Sequence, residues 1–187
     1  MNIRGKTVVL RAPELRDVEK LNKWANDTEI WKLLGGWHFP YSSISTEKWI
    51  AGLNNNNPGG HVFCIDTDEL GLIGTANLIQ IDWRNRNAKH GAVIGDAEVR
   101  GKGFGFDTVM AVMRYAFDEL GLERLDTGMV ALNERSINFY TNYCGWEIEG
   151  RRKNWYYRGG RYYDKVLAGI TRERYRAVVQ KSGYWND

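Results

Sequence analysis

The spacing of apolar positions changes several times along the chain, and each change marks an element. Lys6 to Arg11 (KTVVLR) is β-branched and apolar and predicts a strand, after which Pro13 stands where it can open a helix. From Glu14 the residues Leu15, Val18, Leu21 and Ala25 recur at near-helical spacing with charges between them, which predicts an amphipathic helix. The pattern blurs from Asn26 to Gly60. That stretch holds Trp31, Trp37, Phe39, Tyr41 and Trp49, carries one more helical run around Thr46 to Leu53, and ends in the turn-rich NNNNPGG. His61 to Asp66, Leu70 to Ile81 and Ala88 to Ile94 then predict three successive strands in an antiparallel meander. The clearest helix signal runs from Phe106 to Leu120, where Phe106, Val109, Met110, Met113, Phe117 and Leu120 share one face and Gly121 stops the run. Leu125 to Ala131 predicts another strand, and Asn133 is an N-cap for a helix reaching about Tyr143. Tyr156 to Tyr163 predicts two strands about a Gly159-Gly160 turn. No repeat or linker interrupts this order, so residues 1–187 are expected to form one α+β domain.

Composition narrows the chemistry. A chain of 187 residues, 43% hydrophobic and 26% charged, buries enough surface to hold a core without disulfides or metal. Cys64 and Cys144 lie in no CxxC or Cys/His cluster, and the three histidines make no zinc-ligand spacing, so no metal is expected. No apolar run approaches the ~20 residues of a membrane helix. The opening MNIRGKTVVLRAPE is too short and too soon charged for a signal peptide, so a reducing, cytoplasmic protein without a membrane partner is expected. The net charge of +3 is mild and interspersed and does not demand a nucleic-acid partner. The compositional anomaly is aromatic, with eight Trp and ten Tyr.

Between the strand ending near Ile94 and the long helix lies Arg100-Gly101-Lys102-Gly103-Phe104-Gly105. Three glycines let the backbone turn tightly with its amides unobstructed, and the following helix adds the positive end of its dipole; together they make an anion cradle. The loop lacks the closing Gly-Lys-Ser/Thr of a Walker loop and the preceding parallel βαβ unit of a dinucleotide fingerprint. Downstream, Asn133, Ser136 and Tyr140 stand at i, i+3 and i+7 and share a helix face. Read alone, Asn133 is a cap, Ser136 a packing residue and Tyr140 an amphipathic core residue.

The order of elements, the Arg-x-x-Gly-x-Gly loop and Asn133, Ser136 and Tyr140 resemble the GCN5-related N-acetyltransferases (GNAT superfamily), over nearly the whole chain. Within that superfamily Trp146, Glu149-Gly150, Gly160, Tyr162 and Asp164 resemble the RimJ/RimL branch, whose members acetylate protein N-terminal amines, polyamines or other small amines. The resemblance implies a mostly antiparallel mixed sheet flanked by helices on both faces, and acetyl-coenzyme A as co-substrate. It implies that amides from Arg100 to Gly105 bind the pyrophosphate and that the strand edge at Val93, Ile94 and Gly95 pairs with the pantetheine arm. It places Asn133 near that arm and Tyr140 or Ser136 beside the thioester sulfur, where either hydroxyl can protonate the leaving thiolate. Dimers are common in similar proteins.

The chain departs from the family in three places. Lys89 and Tyr156 stand where relatives carry a glutamate, leaving Asp82, His90, Glu98 and Asp164 as candidates for the general base. Cys144 stands as an inserted residue before the Gly145-Trp146 pair. For the acceptor, the aromatic segment from Trp31 to Gly60 suits an amino sugar, a peptide backbone or an amino acid derivative. Because that segment offers mainly Glu47, polyamines and aminoglycosides rank below these small-molecule or peptide amines. Two other readings compete. Arg151 to Tyr163 interleaves basic and aromatic residues as an RNA-binding module would, and the missing base suits a non-catalytic acyl-coenzyme A sensor. A covalent enzyme intermediate is not expected, since neither cysteine has a sequence-evident histidine partner.

Overall fold

The computed structural model describes residues 2–36, 39–53 and 57–186. Trp37 and the first three asparagines of NNNNPGG lie outside the described residues. Eight strands form one sheet: β1 (Ile3–Arg4), β2 (Val9–Arg11), β3 (Gly60–Thr67), β4 (Gly71–Asp82), β5 (Asn87–Ile94), β6 (Arg124–Val130), β7 (Glu147–Arg158) and β8 (Arg161–Thr171). Their lateral order is β1-β2-β3-β4-β5-β6-β8-β7. Each neighbouring pair is antiparallel except β5 and β6.

Alternation across the sheet separates two cores. On β3, Cys64 belongs to a cluster with Leu21, Trp24, Ile30, Ile50 and Leu72. These come from β4 and from α1 (Val18–Ala25), α2 (Thr28–Leu33) and α3 (Ser43–Ala51). The next residue, Ile65, belongs to the larger cluster on the other face, built on Val109 to Met113, Phe117, Leu125, Trp146, Ala168 and Tyr175. There α4 (Phe104–Arg114), α5 (Glu134–Asn138) and α6 (Arg172–Ser182) cover the sheet. The expected mixed α+β sheet with helices on both faces is therefore what forms.

Three local differences from the sequence reading have physical causes. The predicted strand over Lys6 to Arg11 begins only at Val9, because the segment before it wraps a buried carboxylate. The amides of Lys6, Thr7 and Val8 donate to Asp107 in the first turn of α4 at 2.7, 2.6 and 2.9 Å, joined by the Thr7 and Tyr184 hydroxyls. Burial alone would raise the Asp107 pKa, but the Tyr184 hydroxyl and these amides outweigh it and hold the carboxyl below the usual carboxylate range. The short α2, within the stretch where the pattern blurs, buries only Ile30 and is started by Asp27, whose carboxylate accepts from the Glu29 and Ile30 amides. The polar α6, unpredicted, is capped by Thr171 and Gly183 and docked by Arg172, whose guanidinium donates to the carbonyls of Leu122 and Phe117.

The predicted helix from Asn133 is α5 followed by a π turn over Phe139–Tyr143, closed by the Cys144 amide on the Phe139 carbonyl at 3.1 Å. A π turn holds one residue more than an α turn. The residue inserted before Gly145-Trp146 is thus absorbed at this turn, and Tyr140 keeps the helix face of Asn133 and Ser136. The tail hairpin also exceeds its predicted span: β7 and β8 reach from Glu147 to Thr171, with β8 inserted between β6 and β7.

Candidate active site

The site opens where the two parallel strands part. β5 and β6 pair only through Asn87, Ala88 and Lys89 against Arg124, Leu125 and Asp126. Beyond Lys89, β5 remains paired to β4 but has no partner strand on its other side among the described residues, so alternate peptide groups from His90 to Ile94 face a gap in the sheet. A free strand edge of this kind takes an extended chain bearing amides.

At the end of β5 the chain turns through the glycine loop into α4. Gly101 and Gly103 have φ of +82° and +90°, a conformation that side chains disfavour, and Gly103 is the N-cap. The Arg100 amide is taken by the Ala97 carbonyl, and that of Asp107 by Gly103. Between them, the amides from Gly101 to Phe106 have no hydrogen-bond partner among the described residues. A row of free amides at the head of an 11-residue helix fits a pyrophosphate. The Arg100 guanidinium does not join that row: it donates to the carbonyls of Ile94 and Gly95 at 3.0 and 2.7 Å and so fixes the loop to the strand.

A cavity of about 590 Å³ joins these parts. It is lined by Ala92, Val93 and Ile94 of β5, by Arg100, Gly101, Gly103 and Gly105 of the loop, and by Asn133, Ser136 and Tyr140 of the α5 segment. Of the residues anticipated from sequence, Lys102, Phe104 and Gly95 do not line it. Phe104 packs against the large core. Gly95 gives its amide to the Ile73 carbonyl and its carbonyl to Arg100, so it has no free group for a pantetheine arm. It is glycine because a side chain there would collide with the Trp24 indole. The sequence reading missed Ile30, Leu33 and Leu34, which close the cavity from the other face of the sheet. Val93 packs with the smaller core and Ala92 and Ile94 with the larger, so the cavity passes through the sheet at the gap. Nothing in a six-residue helix with one buried position announces that role.

The α5 face is chemically uneven. Asn133 accepts the Ser136 amide at 3.0 Å and donates to the Leu33 carbonyl at 3.4 Å, so its side chain ties α5 to α2. Tyr140 is 4% exposed, and its hydroxyl has no hydrogen-bond partner among the described residues. Burial, with a smaller contribution from Cys144, pushes its pKa well above the ordinary tyrosine value, so it holds its proton at neutral pH. Its ring meets Trp146 edge-on at 5.0 Å and His90 at 6.0 Å.

His90 is buried, bonded through Nδ1 to the Asn77 carbonyl, and desolvation lowers its pKa to about 4 despite that bond, so it is neutral at pH 7 with Nε2 unpartnered. Asp82 is partly exposed and caps its turn, accepting from the Asn85 amide and side chain. Asp164 accepts the Asn154 amide at 3.0 Å. Glu98 sits in the short turn before Arg100 and does not line the cavity. No carboxylate lines it among the described residues; Arg100 and Arg135 do. Both cysteines are buried with raised pKa values, Cys64 to about 12, so neither offers a thiolate. Among the described residues no cluster that could hold a metal ion is present, and no helix is long and apolar enough to cross a membrane.

Comparison with known proteins agrees with this geometry. Residues 7–143 match the family described as acetyltransferase (GNAT) domain. The SPbeta prophage-derived uncharacterized N-acetyltransferase YokL of Bacillus subtilis is 26% identical over 91% of this chain and 93% of its own length. The spermidine N(1)-acetyltransferase of Vibrio cholerae is 25% identical over 94% and 97%. The crystal structure of a Vibrio cholerae spermidine N-acetyltransferase in complex with CoA and spermine has a TM-score of 0.80 at 25% identity, covering 91% of this chain and 98% of that one. With a family match over most of its length, a sheet that parts at the cavity and a glycine loop heading a helix there, the chain belongs to the GNAT acetyltransferase family and is an acetyl-CoA-dependent N-acetyltransferase.

Proposed function

We propose that this enzyme, among the acceptors that the RimJ/RimL resemblance implies, acetylates the primary amine of an amino acid derivative, an amino sugar or a protein N-terminus in preference to a polyamine. The observation that supports this reading is the cavity lining, which has no carboxylate among the described residues. A polyamine carries several ammonium groups and needs carboxylates to offset their desolvation. The Vibrio cholerae relatives act on spermidine, and their similarity is the argument for the polyamine reading.

Acetyl-coenzyme A supplies the activated acetyl thioester. The free amides from Gly101 to Phe106 hold its pyrophosphate, and the edge of β5 from His90 to the Ile94 amide takes its pantetheine amides, the Ile94 carbonyl being engaged by Arg100. Ser136 lines the same wall as Tyr140. Tyr140 carries the proton for the departing sulfur: as the amine nitrogen bonds to the acetyl carbon and the carbon–sulfur bond breaks, the phenolic proton passes to the thiolate. The amine loses its own proton to solvent, which restores that of Tyr140. An alkyl ammonium with a pKa near ~10.4 is mostly protonated at pH 7, and a cationic surrounding lowers that value and makes a dedicated carboxylate base unnecessary.

Replacing Tyr140 with Phe keeps the ring contacts and removes the proton donor. Thiol release is expected to fall on the order of 100-fold, typical of losing a general acid, with acetyl-CoA affinity unchanged. An unchanged rate would move the proton transfer to Ser136 or to water.

A further inference from the structure

Where β5 and β6 last touch, three cations converge on the sheet face that carries α2. Lys89 is the last paired residue of β5 and lies exposed opposite Asp126. Lys165 of β8 and Arg152 of β7 are direct cross-strand partners, an arrangement in which like charges destabilise a sheet. Both lean over Trp155, with Arg152 at 4.9 Å and Lys165 at 5.5 Å from the ring centroid. The Lys165 stem lies across Gly128 of β6, where a side chain would collide with it, and so points back toward Lys89. Lys89 and Arg152 both act on Lys165 electrostatically, adding to burial in lowering its pKa.

Among the described residues none of the three forms an ion pair. The carboxylates nearby, Asp126 and Glu149, are both engaged by Arg124, the former at 2.6 Å. With Arg124, the cluster therefore sets four cations against the two carboxylates Asp126 and Glu149. Trp155 offsets part of the repulsion through its ring but adds no negative charge, and it does nothing for Lys89. Lys89 is followed in β5 by His90, where the gap begins, and on the hairpin that carries Arg152, Arg158 at the end of β7 donates to the Leu34 carbonyl at 2.9 Å, tying that hairpin to the end of α2 that closes the cavity.

We propose that the acceptor amine carries an anionic group, a carboxylate or a phosphate, which docks on Lys89, Lys165 and Arg152 beside the gap between β5 and β6. This rests on the acetyltransferase reading and names its substrate class. The anion would relieve a repulsion that the folded chain bears without it. The remaining positive charge disfavours an ammonium beside it, so an acceptor held there by its anion presents its amine more readily in the neutral, attacking form.

The test measures thiol release with primary amines matched in size but differing in their tails: carboxylate, phosphate, neutral amide, and the cationic spermidine. One or both anionic tails are expected to exceed the neutral and cationic ones by at least about tenfold in kcat/KM, equivalent to about 1.4 kcal/mol, and the better anion identifies the source. Lys89→Glu, at an exposed position, and Lys165→Glu should each erase or invert that order. Equal rates for all tails, a preference for spermidine, or an order that survives both charge reversals overturns the proposal. Acetyl-CoA binding is measured in parallel by calorimetry. If it binds and no anionic amine is acetylated, the substrate class is wrong; if it does not bind, the acetyltransferase reading itself fails.

Discussion

The two sides of the cleft are made of different material. On the side proposed for the cofactor the available groups are backbone: free amides at the head of α4 and the open edge of β5, held by the Arg100 clamp on the Ile94 and Gly95 carbonyls. On the acceptor side they are side chains from separated strands, Lys89, Arg152 and Lys165, brought together by sheet register. A backbone site tolerates almost any side chain that leaves the peptide groups exposed, so one scaffold keeps one cofactor. A side-chain site changes with a single substitution, so the same scaffold accepts different amines.

The largest expected effect strikes the backbone side. Asp107 satisfies the Lys6, Thr7 and Val8 amides from the first turn of α4, and Asp107→Ala leaves the buried Val8 amide and two partly buried ones without that partner. Roughly 3 kcal/mol of stability should be lost, read from chemical denaturation, together with weaker acetyl-CoA binding as the helix head loosens. Loss of stability below 1 kcal/mol would mean that water replaces the carboxylate.

His90 gives the next effect, through pH. Its folded pKa of about 4 lies below the unfolded value of 6.5, so the unfolded chain binds the proton first. The stability that keeps His90 neutral is fully present above pH 6.5 and is lost as pH falls toward 4, by roughly 3 kcal/mol in all. Asp107, whose pKa is depressed, adds a loss only at lower pH, as the solution falls through its folded value. Denaturation midpoints between pH 7 and 4 should therefore slope in the parent and flatten in His90→Gln; parallel slopes would assign the dependence to other groups.

A smaller effect follows from Arg100→Ala. The loop remains, but its tie to β5 is gone, and acetyl-CoA affinity should weaken by about tenfold, equivalent to about 1.4 kcal/mol, with the preference among acceptor amines unchanged. A changed preference would show that the two sides are not separable.

The same contrast explains what the sequence disclosed. The meander from Gly60 to Ile94, the α4 periodicity and the glycine loop are local signals, and all are present. The fold class followed from their order. Local signals could not show that Arg100 spends its guanidinium on carbonyls, or that Gly95 is glycine for Trp24 rather than for a ligand. Nor could they show that Lys6 to Val8 serve a carboxylate a hundred residues away. The extra residue before Gly145 was visible, but its accommodation in a π turn required the Cys144–Phe139 hydrogen bond. The acceptor side was least legible, because Arg152 and Lys165 meet only through the β7–β8 register, and α2 is too short to show a periodicity.

The proposed hold on the cofactor lies in the free amides between Gly101 and Phe106. Calorimetric titration of acetyl-CoA into the parent and into Gly103→Glu tests it directly. The parent should bind one equivalent saturably. In the variant, a carboxylate at the helix head and a side chain at φ +90° should remove measurable binding, with circular dichroism showing the fold intact. Equal affinity in a folded variant would contradict the account and move the pyrophosphate elsewhere.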